Sequence, residues 1–376
     1  MDQKTFDIAI IGGGLAGLTL SIQLVRTGVT VIIFEKEEYP FHKVCGEYIS
    51  MESWDYLSSL GLSLANMNLP KISKLILTSP SGKQLRSSLA SGGFGISRFT
   101  IDNDLKNIAM REGVIIVQNC KAETPAFDDE LFTIKTSTGL YRSKVCCGSF
   151  GKRSNMDVKW KRPFVSRKKN KLNNYVGIKY HVKTNMATDT IGLHNFEGGY
   201  CGVSAIENNK YCLCYLTNAD NLTRAGSIEN LEKNILSKNP HLEQLFRESS
   251  KLMGPVAISQ ISFELKSQVE DHVILIGDAA GMITPLCGNG MSMAMHAGKI
   301  AARYITDFLS GKISRSEMEI YYQRDWHKQF SARLTAGRLL QRFFGKAWLT
   351  NFFIAIMMRI PWLATRMISL THGKPF

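Results

Sequence analysis

The segment "DIAIIGGGLAGLTLSIQLVRTGVTVIIFEK", residues 7 to 36, constrains this chain more than any other. An apolar strand runs into Gly12-x-Gly14-x-x-Gly17, an apolar-periodic helix follows, and a second strand ends at Glu35, 18 residues after Gly17. Glycines in such a turn let the backbone approach a pyrophosphate without a side-chain clash, and the helix start offers it free amides and the positive end of the helix dipole. Ala16 sits within the turn, and the acid at Glu35, followed by Lys36, can accept hydrogen bonds from an adenosine ribose. The spacing predicts a βαβ dinucleotide-binding unit for a ligand with a plain ADP-ribose or ADP-ribityl group.

A second signal lies far along the chain. In "VILIGDAAGMITPLCGNGMSMAMHAGKIAARYI" (273 to 305), Gly277-Asp278 closes a buried strand, and Pro285-x-x-Gly288-x-Gly290, followed by Met291, opens another helix. An aspartate at a strand end can bind a sugar-alcohol chain, and a helix start can stabilise negative charge on a conjugated ring. Two anion-friendly helix starts at opposite ends of the sequence suit one long ligand, FAD.

Between these signals the pattern changes. A short helix closed by Gly61, a hairpin turning at Ser79-Pro80-Ser81-Gly82 and a helix over 102–113 with Asp102 as its N-cap are expected first. Short strands then succeed one another from 174 to 218, the last two joined by Asn208-Asn209, and helical patterns occupy 226–248. The expected fold is α/β. A Rossmann-like FAD-binding domain (1–70, 95–170 and 265–325) carries an inserted antiparallel β-sheet substrate domain (71–94 and 171–264) and a helical C-terminal region (326–376).

These motifs resemble those of FAD-dependent oxidoreductases of the glutathione-reductase-like flavoprotein superfamily, in the group that includes aromatic-ring and lipid hydroxylases, geranylgeranyl reductase-like enzymes and flavin halogenases. The resemblance rests on the glycine turn with Glu35, on Arg98-x-x-x-Asp102, on "GSFGKRS" (148 to 154) and on the block from Gly277 to Gly290. It implies that Glu35 holds the adenosine ribose, Arg98 lies along the cofactor, Asp278 binds ribityl or ribose hydroxyls, and Gly288 and Gly290 approach the isoalloxazine. Phe150 stands where many flavin hydroxylases have Asp, and Lys43-Val44-Cys45-Gly46-Glu47 keeps the Cys of a K-x-C-G-G pattern while changing its second Gly. No W-x-W-x-I-P segment of the halogenase type is present.

In such relatives "PFHKVCGEYIS" (40 to 50) folds over the flavin, which makes Cys45 and Glu47 the candidate catalytic residues and Gly46 a cofactor contact. Two readings stand open for each. Cys45 can serve in packing, Glu47 as a structural acceptor, and Gly46 merely in allowing backbone approach. For His181 and His194, structural roles are expected.

The implied activity is monooxygenation of a hydrophobic phenolic or lipid-like compound through a flavin C4a-hydroperoxide. The alternatives are reduction of isoprenoid double bonds, halogenation, and a non-catalytic membrane-surface protein that keeps FAD as a structural ligand. No second GxGxxG exists to house a nicotinamide permanently, so NADH or NADPH is expected to bind transiently, or a partner reductase to deliver the electrons.

Composition narrows the partners. A net charge of +14 attracts anionic surfaces and ligands, yet no nucleic-acid module accompanies it, and nucleic acid is not an expected partner. The basic run 151–171 reads as a solvated surface segment. Eight scattered cysteines without a CxxC pair argue against a disulfide framework and a zinc site, and no metal is expected. The start shows no signal-peptide pattern, which predicts a cytoplasmic protein. After Asp325 no acidic residue occurs, and the apolar, basic stretch 333–376 predicts either a helix lying in a membrane interface or a core-covering hairpin broken near Pro361. In the first case the protein is peripheral on the inner face of the membrane.

Overall fold

The computed structural model describes residues 5–166, 174–284, 288–343, 346–360, 362 and 373–376. Its first layer is a largely parallel sheet. Thr5–Ile11 pairs in parallel with Val31–Phe34 on one side and with Gly139–Gly148 on the other, and Ile115–Val117 and Val273–Leu275 extend the two flanks. The central strand is buried on both faces, as a parallel sheet covered by helices requires. Leu15–Val25 and Gly290–Leu309 pack together through small residues, a Cβ on Gly298 lying 3.2 Å from the Ala16 carbonyl, and the turn at Gly277 fits against the first helix, where a Cβ on Gly277 would lie 3.1 Å from the Ala16 Cβ. The two glycine-rich turns, distant in sequence, are thereby held side by side.

The second layer is a nine-stranded sheet. Its order is Ser250–Lys251, Tyr175–Lys183, Lys210–Asn218, Gly199–Ile206, Thr190–Phe196, Lys71–Thr78, Gln84–Gly95, Tyr48–Ser50, with Val256–Ile261 also paired to Tyr175–Lys183. The expected hairpin at 71–88 and the strands of 174–218 therefore form one sheet. It is not wholly antiparallel: Lys71–Thr78 runs parallel to Thr190–Phe196. These two strands are joined through the first layer and not by a tight turn, so their direction is free. One face packs against Leu231, Leu236, Leu242 and Leu245 of the following helical segments; the other bonds to the segment Lys43–Gly46 through Lys179, Ser204 and Cys212.

Several local expectations meet the structure in detail. Gly61 takes φ +103°, and Asn208 and Asn209 take φ +60° and +54° in their hairpin. The helix expected at 102–113 begins earlier, at Arg98, because Ser97 caps it by accepting from the Thr100 amide at 3.1 Å, which leaves Asp102 inside the first turns. The helical stretch 226–248 is broken into Ile228–Asn234 and Pro240–Glu248, with Asn239 capping the latter. The basic run 151–171 is not all solvated surface: Arg162 is fully buried, paired with Asp157 at 2.7 Å.

At the C-terminal end, Arg315–Phe343 and Ala347–Arg359 are helices. The second buries Thr350, Ile354 and Met357, the latter two against Leu77 and Leu85 of the nine-stranded sheet. Pro285, Cys287 and Pro361 lie outside the described residues. Among the described residues no helix is long and apolar enough to cross a membrane.

Candidate functional site

The first part of the site is the turn after Thr5–Ile11. Gly12 has φ +103°, and a Cβ there or on Gly17 would collide with backbone carbonyls, of Ser149 and Gly12 respectively. Gly14 is the N-cap of Leu15–Val25 and has no side chain to cap it, so the helix start keeps its amides for a ligand. Glu35 is buried and accepts from the Gly13 amide at 2.9 Å and the Glu37 amide at 3.2 Å. Lys36 points outward beside Glu37, 3.5 Å away. Over Gly14 stand two cations, Arg98 and Lys43, whose nitrogens lie 3.5 and 3.7 Å from where a Cβ would be. Arg98 forks onto Asp102 with two bonds of 2.7 Å, and Lys43 reaches the same carboxylate at 3.2 Å. Burial acts to raise the Asp102 carboxyl, but Arg98 and Lys43 outweigh it and hold the group below its usual range.

The second part is the strip from Lys43 to Glu47, which crosses the face of the nine-stranded sheet. Four successive carbonyls are tied down by side chains distant in sequence. Lys179 donates to Lys43 at 3.2 Å, Lys152 to Val44 at 2.9 Å, the Cys212 thiol to Cys45 at 3.2 Å, and Ser204 to Gly46 at 3.4 Å. At the end of the strip Glu47 adopts φ +56° and is fully buried. Its carboxylate accepts from the Arg98 amide at 2.8 Å, from His181 at 2.6 Å and from Lys179. Burial works against charge on both Glu47 and Lys179, yet the His181 bond and Lys179 hold the carboxyl below its usual range, and Glu47 holds the ammonium above its own. Gly46 itself is exposed, and a Cβ there would meet nothing within 4 Å. Cys45 is half-buried, with its sulfur 3.5 Å from that of Met291.

The turn at Gly277–Ala279 is held in the same fashion. Lys266 donates to the Asp278 carbonyl at 2.8 Å, Arg162 to Ala279 at 3.0 Å and Gln268 to Ala280 at 3.0 Å. Burial pushes the Lys266 ammonium down to about 8. Asp278 is half-buried, Gly288 takes φ +63° against the Tyr48 ring, and Gly290 begins the second helix, which has no side-chain cap.

The third part is a less completely covered patch of the sheet face that the strip crosses. Leu193, Gly202 and Cys214 lie directly opposite one another in register, and each is the only residue inside its strand that is not fully buried. Residues opposite in register share a face, here the face of Lys179 and Cys212. Leu193 touches three apolar groups: Tyr175, Tyr200, Leu216, Phe263 and Met282; Tyr48, Ile72, Leu75 and Ile191; and Leu77, Leu85, Ile354 and Met357. A separate cavity of about 300 Å³ opens beside His181, lined also by His42, Phe99, Glu207 and Lys210. His194 faces away, bonded to Thr78 at 3.0 Å and stacked on His241, a structural position.

Cys45, Gly46, Glu47 and Met291 thus meet at one strip, and Gly12, Gly14, Gly17, Glu35 and Arg98 at one turn, whereas Lys36 stands apart. Lys43, Tyr48, Lys179, His181, Leu193 and Cys214 were not anticipated as site residues. Lys179 and His181 left one trace in sequence, two polar side chains at period two inside an otherwise apolar strand.

Residues 5–106 match the FAD binding domain family. Over most of its length the chain is similar to three curated proteins. One is conditioned medium factor receptor 1 of Dictyostelium discoideum, 23% identical over 91% of this chain and 72% of that protein. Another is the 1H-pyrrole-2-carbonyl-[peptidyl-carrier protein] brominase of Pseudoalteromonas luteoviolacea, 23% identical over 99% and 93%. The third is digeranylgeranylglycerophospholipid reductase of Methanococcus vannielii, 22% identical over 87% and 83%. The fold is that of a flavin-dependent brominase, with TM-score 0.78, 21% identity and 98% and 93% coverage. It is equally that of a geranylgeranyl bacteriochlorophyll reductase-like protein from Thermoplasma acidophilum, with TM-score 0.76, 15% identity and 94% and 92% coverage. Fold and matched domain together support the class of FAD-dependent oxidoreductases.

The residues fit that cofactor on physical grounds. An uncapped helix start under two cations suits a diphosphate, and the open side of Gly46 leaves room for a ring.

Proposed function

We propose that this chain is a FAD-dependent monooxygenase that hydroxylates a hydrophobic, phenolic or lipid-tailed compound, and that the compound binds in a hollow over Leu193, Gly202 and Cys214. The observation that carries the reading is the hydroxyl of Tyr48. It is buried, and among the described residues it has no hydrogen-bond partner; Ile72, Leu75, Ile191 and Leu193 pack with the residue, and the Glu52 carboxylate is near enough to act on the hydroxyl. Such a group costs about 1–3 kcal/mol while it stays unpaired. Burial also pushes its ionisation well above the usual tyrosine range, so it remains a donor. A substrate with one oxygen on an apolar body satisfies Tyr48 and fills the rest of the hollow; a plain hydrocarbon does not.

FAD, when bound, supplies the redox chemistry, with NADH, NADPH or a partner reductase as electron source. The chain's own residues bind and position. Lys43 and Arg98 balance the diphosphate charge, Gly46 leaves space for the ring, Tyr48 orients the substrate oxygen, and the aromatic wall of Tyr175, Tyr200 and Phe263 excludes water.

The test is turnover of an alkylated phenol by the purified yellow protein with reductant. Oxygen uptake matched by one added oxygen atom in the product is expected, and Tyr48→Phe should raise KM about tenfold while leaving flavin retention unchanged. A second reading, reduction of isoprenoid double bonds, is favoured by the half-buried Cys45 thiol beside Met291 and by the likeness to digeranylgeranylglycerophospholipid reductase. Anaerobic saturation of an allylic substrate with no oxygen uptake would replace the first reading with the second. Product formation only with added bromide or chloride would replace both with halogenation.

A further inference from the structure

The helix Ala347–Arg359 is apolar on two opposite sides, and among the described residues only one of them is packed against the fold. Thr350, Ile354 and Met357 are buried, Ile354 and Met357 against Leu77 and Leu85, on the sheet face that also carries Leu193. On the opposite side, four residues apart, Trp348 and Phe352 stand 67% and 61% exposed, and Met358 near the helix end and Ile360 and Trp362 beyond it are exposed apolar residues as well. Lys346 and Arg359 flank it, both exposed, and no acidic residue occurs anywhere after Asp325.

We infer that this face docks on an anionic phospholipid bilayer, with the helix lying in the interface plane. Three features select that occupant. Tryptophans at both ends of a short apolar stripe match the headgroup boundary, where one edge of the ring is wet and the other apolar. The charge is of one sign, complementary to anionic headgroups and repulsive toward a second copy of the same surface. The helix spans 13 residues, too few to cross a bilayer but enough to lie along one. Docking does not depend on which reaction the hollow performs. It would bring the wall formed by Leu77, Leu85 and Leu193 beside the lipid phase, where a lipid-tailed substrate resides.

Co-sedimentation of the FAD-loaded full chain with vesicles tests this, using phosphatidylcholine alone and phosphatidylcholine mixed with phosphatidylglycerol. The protein should pellet with the mixed vesicles, release as salt is raised, and bind phosphatidylcholine alone far more weakly. Trp348→Glu with Phe352→Glu should lower binding about tenfold or more. Lys346→Glu with Arg359→Glu should lower it about fivefold or more, on the mixed vesicles only. Because all four side chains are exposed, flavin absorbance and melting temperature should stay unchanged and certify the fold. Wild-type protein that stays in the supernatant with both vesicles overturns the inference, as does undiminished binding by the Trp348, Phe352 variant. A lipid-free dimer that the same variant dissociates also overturns it, since the face would then belong to a second copy.

Discussion

The turn at Gly12–Gly17 and the strip at Lys43–Glu47 meet where Lys43 stands over Gly14, but they are shaped by opposite means. The turn is shaped by missing side chains: Gly12 and Gly17 fit because a Cβ has nowhere to go. The strip is shaped by added ones, since Lys179, Lys152, Cys212 and Ser204 each hold a carbonyl and Glu47 anchors the end in a positive φ. The turn at Gly277–Ala279 sides with the strip, with Lys266, Arg162 and Gln268 on its carbonyls. Local sterics make the first nearly unconditional, whereas the other two hold only while the second sheet and its flanking segments are in place.

This contrast can be broken most forcefully at the turn. Gly12→Ala sets a methyl against the Ser149 carbonyl in a left-handed backbone, and a loss of at least about 4 kcal/mol with a colourless product is expected. Thermal denaturation and the visible spectrum would show it. A stable yellow variant would mean that the turn is as adaptable as the strip.

Next in size is Glu47→Ala, which strands the fully buried Lys179 ammonium and should cost about 3–5 kcal/mol in urea unfolding. Adding Lys179→Met should recover most of that loss. If the double variant is no better than the single one, the tether is not what holds the strip.

A pH series sharpens the comparison at the Gly277–Ala279 turn. Lys266 ionises near 8 in the folded chain against an ordinary 10.5, so between those values the unfolded chain binds more protons and stability rises with pH. The wild type should therefore gain on Lys266→Met by at most about 3 kcal/mol between pH 8 and 10.5, and show its full disadvantage below pH 8. A flat difference would place the lysine in water. The smallest effect is expected at Gly46→Ala, which meets nothing within 4 Å and should change stability of the flavin-free protein by less than about 0.5 kcal/mol, while weakening flavin retention measurably.

The same contrast explains what could be read from the sequence. A turn whose form comes from glycine and a helix start is written within about thirty residues, so the βαβ unit and its acid were legible, as were Gly61 and the Asn208-Asn209 hairpin. Tethers were not, because Lys179 and Lys43, or Arg162 and Ala279, are brought together only by the fold. Asp102 illustrates the failure from another side. Its place at the head of an apolar pattern suggested a cap, but Ser97 had that role, and the carboxylate was committed to Arg98 and Lys43. Arg162, sitting in a run of cations, could not be told from its solvated neighbours without Asp157 beside it. The less covered patch left no mark at all, since Leu193, Gly202 and Cys214 are ordinary strand residues until register lines them up.

Leu193 belongs to three apolar walls at once and to none of the tethers. Trimming or enlarging that one side chain alters the packing of all three groups and leaves the glycine turns untouched. A lineage built on this scaffold can therefore drift in what it accepts, one substitution at a time, while inheriting its chemistry intact.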